Sequence, residues 1–301
     1  MKRLSFVIVA TFLMISSESL GIADEVTVLK WTGCGITKKA FMAEAAKAYE
    51  EETGGKIVIK ISGGGATKGI RFADAGLADM GGNCRPALPD KFPEEESNAR
   101  MTVVGWDALV PIINPNNPIE SITSAQLKNI MTGEITNWSE VGGPDQKIQV
   151  VARIGKVSGV GFTARQIIFE DEDADYVQDA IIKKSSGPVE KHIEKNTWAI
   201  GITGISSAKR RKVKVLSVDG NESTEDNIAS GAYPTFRPLY ITTNGEPTGE
   251  VKKFLDWLTS EKGQAVVTDC GTVTLAKGKG LKEKYQNWVH TDHILNYNSL
   301  P

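Results

Sequence analysis

Two short β-rich runs, Val26-Thr-Val-Leu-Lys-Trp31 and Lys56-Ile-Val-Ile-Lys-Ile61, each end in a glycine-bearing turn that leads into a helical pattern. The first turn is Thr32-Gly-Cys-Gly-Ile-Thr37, and the helix expected after it runs over Lys38–Glu52. Phe41, Ala45, Ala48 and Tyr49 make its apolar stripe, Thr37 is a natural N-cap, and Gly54-Gly55 ends it. The second turn, Ser62-Gly-Gly-Gly-Ala-Thr67, opens a helix around Gly69–Ala75, and Ala78–Gly81 follows as a further strand. Strand, turn and helix in alternation predict an α/β fold with a mostly parallel sheet covered by helices.

The same grammar continues downstream. Strands are expected at 106–113, 148–152, 198–202, 214–218 and 238–243, and helices at 124–131, 161–169, 174–183 and 251–260. Asn114-Pro-Asn-Asn-Pro118 is a turn cluster. No repeat of solenoid period and no low-complexity tract interrupts the pattern.

The start of the chain carries an address. Lys2 and Arg3 precede an apolar run from Leu4 to Ile15, then small and polar residues up to Gly21-Ile-Ala23. A basic end, a short apolar stretch and small residues at a cut site read as a secretory signal, residues 1–23. The run is too short to cross ~30 Å of hydrocarbon as a helix, which weighs against an N-terminal anchor. Export to the periplasm is therefore expected. Loss of Lys2, Arg3 and Glu18 would move the formal net charge from −2 to −3. That balance carries no electrostatic footprint for nucleic acid, and Lys209-Arg-Arg-Lys212 reads as solvated loop charge. About 280 residues remain, enough for two lobes with separate cores.

One segment is unusual in both length and composition: Leu127-Lys-Asn-Ile-Met-Thr-Gly-Glu-Ile-Thr-Asn-Trp-Ser-Glu-Val-Gly-Gly-Pro-Asp-Gln-Lys-Ile-Gln-Val-Val-Ala-Arg153. It resembles the middle of the phosphate-binding proteins that feed bacterial ABC importers. Ala108–Pro118, Thr197–Ile202 and Tyr233-Pro-Thr-Phe-Arg-Pro-Leu-Tyr240 resemble further segments of that family, so the likeness covers nearly the whole mature chain. The resemblance implies a two-lobe periplasmic binding protein fold with two crossing hinge strands and a central ligand cleft. It places lobe I at 24–108 plus 236–301 and lobe II at 109–235. It implies a monomer that takes a small inorganic oxyanion, with a membrane ABC permease as partner or, alternatively, a sensor kinase ectodomain.

A buried oxyanion needs backbone N–H groups and hydroxyls, which helix N-termini supply. Three turns offer them: Gly33–Thr37, Gly63–Thr67 and Lys156–Gly159. By resemblance, Thr37, Ala66 and Thr67, Ser158 and Gly159 match family ligand positions. Arg153 matches the arginine before the third turn, and Arg85 the Arg-Pro that closes the third strand. The third turn, Arg153-Ile-Gly-Lys-Val-Ser-Gly-Val160, is one residue longer than the family pattern and ends in Val160 instead of a hydroxyl. Ala66 replaces a hydroxyl, Cys84 stands where relatives carry Ser or Asp, and Cys34 lies in the first turn.

The two cysteines leave three readings open. They form a disulfide or are two small buried residues, a thiol contacts the ligand, or they contribute to a metal site. Sulfur is a weak partner for phosphate and a good one for thiophilic atoms, which brings in arsenic or selenium oxyanions, arsenate and arsenite among them. The metal reading is the weakest, because His192, His290 and His293 show no ligand spacing with any cysteine. Cys270 is expected near the hinge without a ligand role. No catalytic triad, Cys-x-x-Cys or metal cluster supports an enzyme or a cofactor. A periplasmic phosphatase or reductase and an adhesive surface protein remain the competing classes.

Overall fold

The computed structural model describes residues 26–288. Along the first half run β1 (Thr27–Gly33), α1 (Gly35–Thr37) continued by a π-helical turn (Lys38–Met42), α2 (Ala43–Glu52), β2 (Ile57–Gly63), α3 (Ala66–Asp74), β3 (Met80–Asn83), α4 (Pro93–Glu96), β4 (Ala99–Ile113), β5 (Ser121–Ile122), α5 (Ser124–Thr132), a 3₁₀ turn (Trp138–Val141) and β6 (Gln149–Arg153). The second half adds α6 (Gly159–Ala164) with a π-helical extension (Arg165–Phe169), β7 (Ile181–Lys183), α7 (Ser186–Ile193), β8 (Ala199–Gly204), α8 (Ile205–Ala208), β9 (Lys214–Val215), β10 (Ser217–Val218), α9 (Glu225–Ser230), β11 (Phe236–Asn244), α10 (Gly249–Thr259), α11 (Glu261–Asp269) and α12 (Leu281–Trp288).

The fold is a two-lobed α/β arrangement on one curled mixed sheet, ordered β2-β1-β3-β11-β4-β8-β6-β7, with β9 also on β4. Within each half the sheet is parallel: β1 with β2 and β3, and β6 with β7 and β8. The halves join through antiparallel pairing of the two longest strands. β4 pairs with β11 over Ala99–Ala108, then changes partner and pairs with β8 from Leu109 onward. Every residue from Val103 to Ile113 is buried, as expected of a strand that crosses from one core to the next.

Helix caps follow sequence chemistry with one correction: Thr37, expected to cap the first helix, lies inside it in helical conformation without a side-chain cap bond, and Cys34 is the cap. Thr123 and Gln126 make a reciprocal capping box on α5, and Gly133 ends it in the left-handed region. The one expected helix that does not form is 174–183, where turns lead into β7. Arg165 is the physical reason. Its Nε donates to the Ala174 carbonyl at 2.8 Å, its guanidinium lies 5.1 Å from the Tyr176 ring centre, and Val177 N donates to Met131 O at 3.0 Å. Those tertiary bonds hold the segment across α5, outweighing a weak helical pattern. Elsewhere the sequence boundaries shift: the first helix begins at Gly35 instead of Lys38, and the 214–218 strand is split into β9 and β10. Among the described residues, no helix is long and apolar enough to cross a membrane.

Candidate functional site

Parallel strands bring their carboxyl ends to one edge, where open α/β sheets place ligands. Gly33 of β1 is in register with Gly63 of β2 and Gly82 of β3, and Arg153 of β6 with Lys183 of β7. The turns after these strands surround a cavity of about 480 Å³. Its wall includes Gly33–Ile36, Gly63–Gly65, Cys84, Arg153, Gly159 and Lys184–Gly187. Lys38, Lys39, Ser207 and Arg211 complete it, and among the described residues no carboxylate lines it.

Three helix N-termini converge there. Cys34 caps α1: its sulfur accepts from Thr37 N at 3.4 Å, and Thr37 Oγ1 donates back to Cys34 O at 3.1 Å. Gly65 precedes α3 at φ +89°, a backbone state that glycine adopts without strain. Ser158 caps α6 by accepting from Gly161 N at 3.1 Å. Gly159 is required by close approach, since a Cβ there would lie 2.4 Å from Cys84 Sγ and 3.0 Å from Ala66.

Of the residues expected to hold an oxyanion, Cys34, Cys84, Arg153 and Gly159 line the cavity. Thr37, Ala66, Thr67 and Ser158 do not, although all lie in or beside the converging turns. The Thr67 hydroxyl is spent on the Val157 carbonyl at 3.0 Å, across the cleft. Arg85 is also absent from the wall, and its guanidinium is consumed internally. It bonds Glu96 through both terminal nitrogens, at 2.8 and 2.7 Å, and reaches Val157 O through Nε at 2.7 Å. Arg153 is the opposite case. Among the described residues no carboxylate pairs with it, and its buried Nε has no partner. Burial pulls its pKa below the usual arginine value, yet a guanidinium stays charged. Arg153 thus brings a partly buried guanidinium, its Nε unpartnered, to a cavity that no carboxylate lines among the described residues.

The sulfurs of Cys34 and Cys84 are 3.5 Å apart, and both thiols are free, so no disulfide joins them. Burial disfavours the Cys34 thiolate, but hydrogen bonds from Cys84 and Thr37 and the nearby Arg237 outweigh it and bring its pKa to about 6. Cys84 moves the other way, held up first by its bond to Cys34 and then by burial. Among the described residues no group of three or more His, Cys, Asp and Glu could hold a metal, and His192 bonds Gln149. Residues 1–23, His290 and His293 lie outside the described residues. Cys270 is half-buried at the end of α11.

Sequence reasoning missed two features. Arg237 on β11 is fully buried, pairs with Asp107 at 3.3 Å and donates to Gly159 O at 3.1 Å and Cys84 O at 3.4 Å. It clamps the turns of both lobes to the crossing strands. The second is the Lys184–Gly187 corner, where Ser186 Oγ is buried and unpartnered. A Ser-Ser-Gly-Pro run before a helix looks like ordinary capping, so only its tertiary position sets it apart.

Residues 33–262 match the model of the PBP superfamily domain. The phosphate-binding protein PstS of Bacillus subtilis is 32% identical over 257 residues, covering 82% of this chain and 81% of the relative. PstS of Borreliella burgdorferi is 36% identical over 186 residues, or 59% and 67% of the two chains. Among solved structures, a candidate phosphate ABC transporter substrate-binding protein from Clostridium perfringens, with bound phosphate, is 27% identical at a TM-score of 0.76 and covers 82% of this chain and 99% of that one. An ABC-type phosphate transport receptor from Vibrio cholerae is 26% identical at a TM-score of 0.64, covering 82% and 100%. These relatives are binding proteins of transport systems, not enzymes. With two α/β lobes, an acid-free cleft at the strand ends and these matches, the chain belongs to the PBP superfamily, within the family of phosphate-binding proteins of ABC transporters.

Proposed function

We propose that this chain is an exported solute-binding protein that closes two lobes around a tetrahedral oxyanion of the phosphate class and presents it to a membrane ABC permease. The observation that carries the reading is Arg153, a guanidinium with an unpartnered buried Nε and no carboxylate partner among the described residues, on a cavity that no described carboxylate lines. Closure excludes water, and each N–H and guanidinium bond strengthens in the lower dielectric. The change of partner along β4 at Ala108/Leu109 supports lobes divided at 24–108 plus 236–301 and 109–235. Calorimetric titration with phosphate, sulfate, arsenate, selenite and arsenite, with and without reductant, tests the reading. Stoichiometric phosphate binding is expected; no heat with any tetrahedral oxyanion would remove the proposal. A purified sensor kinase ectodomain that binds only the liganded protein would instead assign a signalling role.

Arsenite is a second reading, favoured by the thiol pair alone. Two sulfurs bonded at about 2.3 Å to one centre sit roughly 3.5–3.8 Å apart, close to the observed 3.5 Å. Arsenous acid would condense with both thiols, forming two As–S bonds and releasing two waters, with no redox change. Binding by the reduced protein that is lost in Cys34→Ser would support it.

The Cys34 thiolate predicts a pH effect on oxyanion affinity. Above pH 6 the thiolate faces the ligand with like charge, and binding requires its protonation. The affinity of Cys34→Ser relative to wild type should therefore rise with pH from 6 to 8, by at most about tenfold per pH unit. Taking the ratio cancels the ligand's own titration. A flat ratio would show that Cys34 does not face the bound anion.

A further inference from the structure

The cavity is larger than one tetrahedral ion requires; about 480 Å³ lies in the range of small-molecule sites. Its unexplained wall is the corner after β7. There Lys184, Ser185, Ser186 and Gly187 turn into α7, and Ser185 does not cap the helix with its side chain. The Ser185 side chain leaves the first-turn N–H groups of Ser186 and Gly187 uncapped, and both residues line the cavity, while Pro188 has no N–H. Ser186 is 6% exposed, and its hydroxyl has no partner. A Cβ on Gly187 would lie 3.5 Å from an Arg211 terminal nitrogen, so a guanidinium flanks the same turn.

The acid on α7 is already committed. Glu190, on α7 itself, pairs with Arg211 Nε at 2.9 Å and Lys39 at 3.4 Å and accepts from Thr203 and Ser207. Those bonds and cations outweigh burial and hold its carboxyl below the usual range. It stabilises Lys39 and Arg211 in place while Arg211 keeps its terminal nitrogens for the cavity.

We infer that the N-terminus of α7, with Ser186, Lys184 and Arg211, is a second anion subsite beside the Arg153 turn, and that the cavity takes a ligand with two linked anionic groups, inorganic diphosphate being the smallest of the class. The register supplies the geometry. Arg153 and Lys183 are partners on adjacent parallel strands, which lie about 4.8 Å apart, so the subsites are neighbours at one sheet edge. One phosphoryl group sits against Arg153 and Gly159, and the other against Ser186 and Lys184. This rests on the oxyanion reading above and narrows its ligand class.

The test is titration of the mature chain with inorganic orthophosphate and inorganic diphosphate, in wild type, Ser186→Ala and Lys184→Gln. Diphosphate should bind at least about tenfold more tightly than orthophosphate. Each substitution should weaken diphosphate by about three- to tenfold and orthophosphate by less than about twofold. Folding is not in question, since Ser186 Oγ has no partner to lose and Lys184 is exposed; unchanged melting temperatures check this. Orthophosphate bound as tightly as diphosphate, or equal losses for both ligands, overturns the subsite and leaves the oxyanion reading intact. If orthophosphate fails to bind, the oxyanion reading is decided by the titrations with the other tetrahedral oxyanions, and the subsite is judged on diphosphate alone: sensitivity to Ser186→Ala upholds it, while insensitivity or no binding overturns it.

Discussion

Arg153→Met should lower oxyanion affinity by about a hundredfold while leaving the melting temperature unchanged or slightly higher. Hydrogen bonds to a charged group are worth about 1.5–3 kcal/mol, a factor of roughly 10–150. Arg153 is the cavity guanidinium with an unused buried donor, so its loss removes ligand bonds rather than structural ones. In the free protein the unpartnered buried Nε and the partial burial of the guanidinium are costs, and methionine relieves them while keeping most of the volume. Arg153→Lys should recover part of the loss, because an ammonium keeps the charge but not the planar fork. Titration and thermal unfolding on the same samples separate the terms. Retained affinity, or a large fall in melting temperature, would show that Arg153 serves the fold.

What could be read from sequence divides along a physical line. Glycine, serine and threonine punctuation acts locally, so the turns at Gly33–Thr37, Gly63–Thr67 and Lys156–Gly159 were legible and do converge. The change of partner along β4 was not, because it depends on what β8 and β11 bring to the same strand. The failed helix at 174–183 has the same origin, since Arg165 and Met131 hold that segment from outside it. The two arginines show it most clearly. Arg153 precedes the third turn and Arg85 closes the third strand, both are expected to reach the anion by resemblance, and no local signal says which one does. The difference is Glu96, which has Arg85 as its partner in space and leaves Arg153 alone.

Arg85→Met is accordingly expected to damage stability first. The Arg85 and Glu96 side chains are both fully buried and bonded through both terminal guanidinium nitrogens. Removing one partner of such a pair costs about 3–5 kcal/mol, because the other charge stays buried. Glu96 would keep Arg71 Nε at 3.2 Å and Leu88 N at 2.9 Å, which places the loss near the low end. A chain of 301 residues sits at the small end of the usual range of about 2–4 °C per kcal/mol, so the melting temperature should fall by roughly 6 °C. Arg85→Met with Glu96→Met should regain most of this, since apolar replacement of a whole buried pair is often neutral. The pH dependence has a defined sign. Burial disfavours the Glu96 carboxylate, but the bonds from Arg85, Leu88 and Arg71 prevail and lower its pKa from 4.5. Its contribution to wild-type stability is therefore present above the unfolded carboxylate value and lost as pH falls through the lower folded value. In the variant Glu96 can protonate more readily, so the gap from wild type should narrow between pH 7 and pH 4. Arg85 also meets Thr67 on the Val157 carbonyl, so looser closure should cost the variant a few-fold in oxyanion affinity, far less than Arg153→Met. A variant that melts like wild type yet no longer binds would reverse the roles of the two arginines.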